Sequence, residues 1–335
     1  MTLLDVPLID IGEFHTGNDV TRKHIADEVG RACRDIGFLV LTGHGVPMSQ
    51  IDDAYGSTKK FFGLDLAEKM SVARPDPSHI RGYSGMGTEA LAQLEDEPAP
   101  PDLKELFDVG PSDVPTDDPY YSAESAGETF APNVWPAHAS DVRPALTELF
   151  TTMGGLARSM SQIFAVALDL EPDFFLPKVD KHTSILRVNY YPSQPNAPLP
   201  NQLRGGAHTD YTAFTILWQE PVVGGGLQVR NKAGQWIDVP SVPGSFVVNI
   251  GDSLARWTND TWVSTMHRVV NPPREIASKA DRTSIVFFFQ PNYDAVIECI
   301  PTCQSETRPA LYKPIRNGEY LASKFAQQQI QEDAA

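Results

Sequence analysis

The sequence contains little cysteine and no long apolar run. Its 335 residues include Cys33, Cys299 and Cys303, with no Cys-X-X-Cys pair or Cys/His zinc spacing around them. Three cysteines are too few for a disulfide framework in a chain of this size. No apolar stretch approaches the ~20 residues needed to cross a bilayer, and the first residues lack the features of a signal peptide. We therefore expect free thiols in a cytoplasmic protein that has no membrane partner.

Positive charge is also scarce. Lysine and arginine number 27 against 43 aspartates and glutamates, which gives a formal net charge of −16. This is the wrong sign for holding a phosphate backbone, so we expect no nucleic-acid partner. The 41% of hydrophobic residues are enough for a substantial core. The composition does not indicate the oligomeric state.

Helical periodicity precedes a β-rich region, with a final helix at the end of the chain. Apolar residues at three- and four-residue spacing predict helices over residues 20–36, 47–64, 142–170 and 318–331. Residues 74–136 keep no long period and predict long loops with short helical pieces. The strand candidates are residues 38–43, 183–192, 209–219, 226–239, 245–250, 265–270 and 282–290. This order predicts a single α+β domain with a mainly β core, a sandwich or a barrel.

The segment GGAHTDYTAFTIL carries the sharpest chemical pattern. His208 and Asp210 are two residues apart in a stretch that favours extended structure, which would place both on one face of a strand. With a third ligand they would form the 2-His-1-carboxylate triad of non-haem Fe(II) sites. His267, in STMHRVVNPP, is the candidate third ligand. A lone histidine in a β-rich domain is more often a hydrogen-bonded structural residue.

Two further strand candidates carry polar residues at alternate positions. Arg282 and Ser284 share one face of an otherwise hydrophobic strand, where a buried guanidinium requires an anion. That anion is either a bound carboxylate, with the serine hydroxyl as a second donor, or an internal acidic side chain. Arg187, Asn189 and Tyr191 likewise share one face, which either lines a cavity or faces water.

These motifs in this order resemble the isopenicillin N synthase-like family of Fe(II)/2-oxoglutarate-dependent dioxygenases. The matching segments are NYYP at 189–192, HTD at 208–210, the HRVVNPP histidine at 267 and RTS at 282–284. Amino-terminal segments also resemble the family: VPLIDIGEF, CRDIGFLVLTGHGVP, KKFFGLDLAEKM and RGYSGMG. The resemblance implies a double-stranded β-helix, or jelly roll, flanked by helices. Within 1–335 it implies a helix-rich part with substrate loops (1–175), a jelly-roll core with the iron and cosubstrate site (176–300) and a carboxy-terminal segment with a helix (301–335).

The resemblance also implies roles and a reaction. His208, Asp210 and His267 would bind Fe(II), and the 2-oxoglutarate residues would be Arg282, Ser284, Asn189 and Tyr191. Oxidative decarboxylation of 2-oxoglutarate with O2 would yield succinate and CO2 while a small-molecule substrate is hydroxylated, desaturated or cyclised. The chemistry would be centred on iron, so no separate side-chain nucleophile is expected.

Other functions remain open at this point. Isopenicillin N synthase keeps an Arg-X-Ser-like pair without using 2-oxoglutarate, so an Fe(II) oxidase of the same fold is one alternative. A non-catalytic cupin-like metal-binding protein or 2-oxoglutarate sensor is another. A zinc hydrolase is disfavoured because no HExxH or comparable unit accompanies the ligands.

The sequence evidence for substrate-binding residues is weaker than that for the metal and cosubstrate residues. A cation at Arg187, beside the cosubstrate residues, would suit a carboxylate-bearing substrate, or it pairs with an internal acid. The loop-rich stretch would bring aromatic and thioether groups to the active-site mouth. The candidates are Arg187, Arg81, Tyr83, Met86, Phe107 and Phe288. The carboxy-terminal helix, with Tyr320, Leu321 and Phe325, would either cap the mouth as a lid or dock on the barrel.

Overall fold

Most of the helices lie in the first half of the chain, and one further long helix lies at its carboxy-terminal end. The computed structural model describes residues 6–334 apart from 77–78, 92–99, 113, 116 and 222–225. In these residues the helices are α1 (Asp19–Asp35), α2 (Met48–Phe62), α3 (Leu66–Met70), α4 (Pro119–Ser122), α5 (Val142–Ala167), α6 (Leu176–Val179), α7 (Asp252–Trp257) and α8 (Asn317–Ala334). Short 3₁₀ turns lie at Glu124–Ala126 and Pro301–Cys303.

The β-strands form two main sheets and one small one. They are β1 (Leu8–Asp10), β2 (Phe38–Thr42), β3 (Gly82–Ser84), β4 (Glu105–Val109), β5 (Ile185–Tyr191), β6 (Gly205–His208), β7 (Phe214–Gln219), β8 (Leu227–Arg230), β9 (Trp236–Asp238), β10 (Phe246–Ile250), β11 (His267–Val269), β12 (Arg282–Phe289), β13 (Val296–Ile297) and β14 (Ile315–Arg316). Among the described residues the large sheet has the order β1-β2-β10-β7-β12-β5-β4-β3, the second sheet β6-β11-β8-β9, and β13 pairs with β14. Except for the parallel pair β1 and β2, neighbouring strands are antiparallel.

Alternation along the strands divides the large sheet into two faces. On β12, Ile285 and Phe287 belong to the cluster that packs under the helices, whereas Val286 faces the second sheet. The space between the sheets is filled by Phe38, Val40, Leu217, Leu227, Val229, Val247, Val269 and Val286. Period-two alternation therefore gives one sheet two apolar faces, one for the helices and one for the sandwich interior. The resulting jelly roll flanked by helices confirms the predicted fold class.

Helix α5 is the scaffold on the outer face of the large sheet. Its buried residues recur at three- and four-residue steps, including Leu146, Leu149, Met153 and Leu156. The helix packs against α1 and α2 and lies on β12. The sequence predicts this helix because its apolar stripe is long and regular.

Two of the sequence-based element assignments are wrong. The region predicted as loops, 74–136, contains strands β3 and β4. Strand β4 carries Glu105 and Asp108, whose charges hide the hydrophobic alternation, although both side chains are buried by ion pairs with Lys69 and Arg187 at 2.6 and 2.7 Å. The strand predicted at 209–219 begins only at Phe214, and the preceding strand β6 ends at His208.

Two expectations from composition can be compared with the structure. Cys33, Cys299 and Cys303 are free thiols, as the sequence predicts. None of the helices in the described part of the chain is both long and apolar enough to span a lipid bilayer.

Truncation of the scaffold helix should destabilise the whole fold. Leu146 is fully buried in the core, so Leu146→Ala removes apolar contacts and leaves a cavity. We expect a loss of about 2–5 kcal/mol in the free energy of unfolding, measured by urea denaturation. The exposed Thr151→Ala on the same helix should cost less than about 0.5 kcal/mol. Equal losses in the two variants would contradict the assignment of α5 as the core scaffold.

Candidate active site

Two strands of the second sheet, β6 and β11, bring the proposed metal ligands together. Strand β11 pairs antiparallel with β6 so that His267 lies opposite His208. Asp210 follows two residues after the end of β6, and its Oδ1 lies 3.7 Å from the Nε2 atom of each histidine. The three potential ligand atoms lie within 4.8 Å of one another. Thus Asp210 reaches the histidines from the turn after the strand, and the expectation that it lies on the strand itself is wrong.

Backbone carbonyl groups fix the orientation of both imidazoles. The Nδ1 atom of His208 lies 2.8 Å from the carbonyl oxygen of Gly206, and that of His267 lies 3.0 Å from the carbonyl oxygen of Thr265. A carbonyl oxygen only accepts, so each Nδ1 carries a proton, and Nε2 is the ring atom that remains for a metal. Burial, together with the neighbouring His267, lowers the pKa of His208 and keeps it neutral. A hydrogen bond from Nδ1 to a carbonyl group is the usual way in which a metal-ligating histidine is oriented.

Two hydrogen bonds hold the carboxylate of Asp210. Its Oδ2 accepts from Thr215 Oγ1 at 2.6 Å and from Asn249 Nδ2 at 2.7 Å, which leaves Oδ1 directed at the histidines. Burial of Asp210 opposes its charge, but the two histidines and these hydrogen bonds outweigh burial and lower its pKa. Sequence reasoning missed Thr215 and Asn249. The sequence signal that could have identified them is a polar residue within a largely apolar strand, Thr215 on β7 and Asn249 on β10.

Arg282 is a buried cation with unused hydrogen-bond donors. The side chain is 1% exposed, and its Nη2 donates to Gln219 Oε1 at 3.1 Å. Its Nε and Nη1 make no hydrogen bond within the described residues, and no carboxylate there pairs with it. The guanidinium lies 5.1 Å from the centre of the Tyr191 ring, and burial lowers its pKa. Leaving a buried charged donor unpaired is costly, so this geometry favours an external anion over the internal salt bridge.

Strand register places the other predicted cosubstrate residues beside Arg282. In the β12–β5 pair, Arg282 lies opposite Tyr191 and Ser284 opposite Asn189, whose Nδ2 lies 3.5 Å from the serine Oγ. All four side chains line one cavity of about 230 Å³, and the three metal-ligand candidates line it too. Its apolar wall includes Ile80, Leu91, Ile185, Leu217, Leu227, Val269, Val286 and Phe288. The structure therefore brings the predicted ligands and the predicted anion clamp to one chamber.

Arg187 lines the same cavity, but its charge is already paired. Asp108 accepts from Arg187 Nε at 2.7 Å and from Nη2 at 3.0 Å, and Glu89 accepts from Nη1 at 3.0 Å. Burial opposes the charge of Arg187, but these two carboxylates raise its pKa. Of the two interpretations that the sequence left open for Arg187, the internal acidic partner is the one observed.

Four of the other five predicted substrate residues lie outside the cavity lining. The Arg81 guanidinium is buried against Gly110, where it leaves no room for a side chain, and donates to the carbonyl oxygens of Ala131, Ile80 and Thr129. Tyr83 and Phe107 belong to the core under the helices, and Tyr83 donates to Glu105 at 2.6 Å. Met86 is exposed. Tyr83 and Phe107 lie in the paired strands β3 and β4, so their predicted place at the mouth is wrong, whereas Phe288 does line the cavity.

The carboxy-terminal helix docks on the body and also lines the cavity. Tyr320 is buried in the core, whereas Leu321 and Phe325 line the cavity. Lys324 forms an ion pair with Asp252 of α7 at 2.9 Å. The sequence left open whether this helix docks on the barrel or caps the mouth. In the structure one face of the helix docks through Tyr320, and another face lines the cavity through Leu321 and Phe325.

The fold and site define a class of protein. A 2-His-1-carboxylate cluster with open positions is typical of non-haem Fe(II) oxygenases. Residues 6–138 match the family described as the non-haem dioxygenase in morphine synthesis N-terminal domain, and residues 182–291 match the 2OG-Fe(II) oxygenase superfamily. A 2-oxoglutarate-Fe(II) type oxidoreductase of Emericella nidulans is 33% identical, with 96% of this chain and 89% of that protein aligned.

Solved structures agree with these matches. A full-length Neurospora crassa protein in complex with α-ketoglutarate superposes with a TM-score of 0.83 at 33% identity, covering 96% of both chains. A 2OG-Fe(II) oxygenase family protein of Caulobacter crescentus gives 0.83 at 31% identity, covering 96% of this chain and 98% of that one. This chain belongs to the 2-oxoglutarate-Fe(II) oxygenase superfamily. It is an enzyme whose cofactor is Fe(II) and whose cosubstrate is 2-oxoglutarate, as the sequence predicts.

Loss of a hydrogen bond to Asp210 should weaken metal binding. Thr215→Val keeps the shape of the side chain but removes the hydroxyl that orients Oδ2. We expect about 10–100-fold weaker Fe(II) binding, the usual effect of losing such a partner, measured by anaerobic metal titration. Thr283→Val is the matched control, because the Thr283 hydroxyl is buried without a hydrogen bond in the described residues. Unchanged Fe(II) affinity in Thr215→Val would show that Asp210 does not need this support.

Proposed function

We propose that this oxygenase oxidises a small-molecule substrate inside the chamber between its two sheets. His208, Asp210 and His267 hold Fe(II), and Arg282 with Ser284 holds the distal carboxylate of 2-oxoglutarate. Asn189 and Tyr191 border the same anion site from the neighbouring strand β5. The observation that carries this proposal is the shared cavity, which has a metal-ligand cluster and an unpaired buried cation in its wall.

The donor set fits the cofactor and cosubstrate. Two neutral imidazoles and one carboxylate suit a divalent iron and leave positions for other ligands. Arg282 has unused donors at Nε and Nη1, and Nη2, which donates to Gln219, has a second proton. One edge of the guanidinium, Nη1 with Nη2 or Nε with Nη2, can therefore bind the two oxygens of a carboxylate in a bidentate manner. When bound, iron and 2-oxoglutarate together supply an oxidant from O2, with succinate and CO2 as the co-products. The protein's own part is to orient the ligands, anchor the anion and exclude water.

The cavity supports a small substrate. Its wall is mostly apolar, with Val286 and Phe288 continuing the strand face that carries the clamp, and α8 adds Leu321 and Phe325 to the lining. Apolar enclosed sites with a few polar groups are typical of small-molecule binding. The names of two relatives also refer to small molecules: one is a validamycin A dioxygenase of Streptomyces hygroscopicus, and the Neurospora crassa protein has also been solved with thymine.

Removal of the carboxylate ligand should abolish iron binding. In Asp210→Ala two neutral imidazoles remain, so we expect Fe(II) affinity to fall by more than about 100-fold, beyond the loss typical of an outer-shell partner. Succinate release should be undetectable. Anaerobic metal titration and a succinate assay measure these two effects. Asp141→Ala, at an exposed carboxylate paired with Lys60, is the control and should change neither. Retention of wild-type iron binding in Asp210→Ala would refute the ligand assignment.

Removal of the guanidinium should affect only ligands with a distal carboxylate. We expect Arg282→Met to weaken 2-oxoglutarate binding about 100-fold, within the 2–5 kcal/mol typical of losing one partner of a buried charge pair. 2-Oxobutanoate, which has the same keto acid but no distal carboxylate, should bind equally weakly to wild type and variant. Calorimetric titration of the iron-loaded protein without O2 measures both ligands. Equal losses for the two ligands would mean that Arg282 does not contact the distal carboxylate.

A further inference from the structure

One wall of the cavity carries a lysine and a glutamate that the roles assigned above do not use. Glu89 and Lys104 both line the cavity beside Arg187. Lys104 Nζ lies 3.0 Å from Glu89 Oε2, and Arg187 Nη1 lies 3.0 Å from Glu89 Oε1. The side chain of Lys104 is 6% exposed and that of Glu89 is 18% exposed. These buried charges belong to the chamber and are not solvated surface groups.

This charged wall is tied to the strand that carries a metal ligand. Lys104 Nζ also lies 3.2 Å from Asp102 Oδ2, and Asp102 Oδ1 accepts from the backbone N–H of Gly206 at 2.9 Å. The carbonyl oxygen of Gly206 in turn accepts from His208 Nδ1. Lys104 is therefore fixed relative to β6, so a substrate group bound by it is held in a defined position relative to the metal-ligand cluster.

The network is electrically balanced. Three cations (Arg74, Lys104 and Arg187) meet three carboxylates (Glu89, Asp102 and Asp108) in ion pairs of 2.7–3.2 Å. A buried carboxylate ligand would add an uncompensated negative charge beside Glu89, and an amine ligand an uncompensated positive charge beside Lys104. Either would carry a desolvation penalty without a free counter-charge in the described network.

Hydrogen-bonding capacity remains in spite of this balance. An ammonium group has three protons, and within the described residues those of Lys104 have two carboxylate partners, Glu89 and Asp102. A carboxylate has about four acceptor positions, and Glu89 has three contacts, one from Lys104 and two from Arg187 Nη1. Counted over the described residues, Lys104 therefore has a spare donor and Glu89 a spare acceptor, and the two groups lie 3.0 Å apart in the wall of a mostly apolar chamber.

We propose that Lys104 and Glu89 select a compact neutral substrate that carries a carbonyl group next to an N–H, as in a lactam, a cyclic imide or a cyclic urea. Lys104 donates to the carbonyl oxygen and Glu89 accepts from the N–H, while the apolar wall takes the rest of the ring. This substrate class rests on the proposed oxygenase function and replaces the carboxylate-bearing substrate that an unpaired Arg187 would have suited.

Matched six-membered rings test the substrate class. The probes are 2-piperidone and glutarimide (neutral), cyclohexanecarboxylate (anionic) and piperidine (cationic), titrated calorimetrically into wild-type protein loaded with Fe(II) and 2-oxoglutarate without O2. We expect the neutral amides to bind at least tenfold more tightly than either charged ring. A preference for a charged ring, no preference, or no binding of any ring would overturn the proposal.

A variant that binds one ring more tightly than wild type does cannot owe that change to misfolding. Glu89→Gln removes one negative charge from the wall, so cyclohexanecarboxylate should bind at least tenfold more tightly than to wild type. The control is Glu105→Gln, which changes a buried glutamate paired with Lys69 at 2.6 Å outside the cavity lining. It should leave the ring preference as in wild type. An unchanged preference in Glu89→Gln would overturn the proposal.

The same samples report on the proposed function separately. Fe(II) and 2-oxoglutarate affinities are measured before each ring is added. If wild-type protein binds neither, the proposed function fails. If both bind normally and the carboxylate ring is preferred, only the inference about Lys104 and Glu89 fails.

Discussion

The pairing of β6 with β11 is the constraint on which the site depends. It places His267 opposite His208, and the turn after β6 then brings Asp210 to 3.7 Å from both Nε2 atoms. Each ligand is fixed a second time: a carbonyl group holds each histidine, and Thr215 and Asn249 hold the aspartate. The two supporting side chains lie on β7 and β10 of the large sheet. Both sheets of the jelly roll therefore contribute to the proposed metal site.

The charged residues of the chamber divide into two kinds. Arg282 is buried, and two of its nitrogen donors have no partner among the described residues, which favours an anion from outside the chain. Arg187 is buried as well, but Asp108 and Glu89 satisfy it. Because one guanidinium lacks an internal partner and the other has two, the two arginines on adjacent strands can have different roles. In the proposed function Arg282 would anchor a ligand carboxylate, whereas Arg187 supports the wall in which Lys104 and Glu89 lie.

The sequence predicts well those parts whose signal is local. The apolar period of α5 and the alternation on β5 and β12 are visible without a structure, and the paired residues Arg282 and Ser284 follow from that alternation. Strand β4 was missed because its charges resemble those of a surface loop until their partners are known. Arg81 was misplaced for the same reason, since its carbonyl acceptors lie about 50 residues away in sequence. Ion pairs and hydrogen bonds between distant segments leave no local signal.

The most direct test of the central claim is an anaerobic titration of the Fe(II)-loaded protein with 2-oxoglutarate, followed by visible absorption. If the keto acid chelates an iron held by His208, Asp210 and His267, a saturable metal-to-ligand charge-transfer band should develop as the ligand is added. Iron that remains bound without any such band would contradict the account, because the metal and the cosubstrate would then not meet in this chamber.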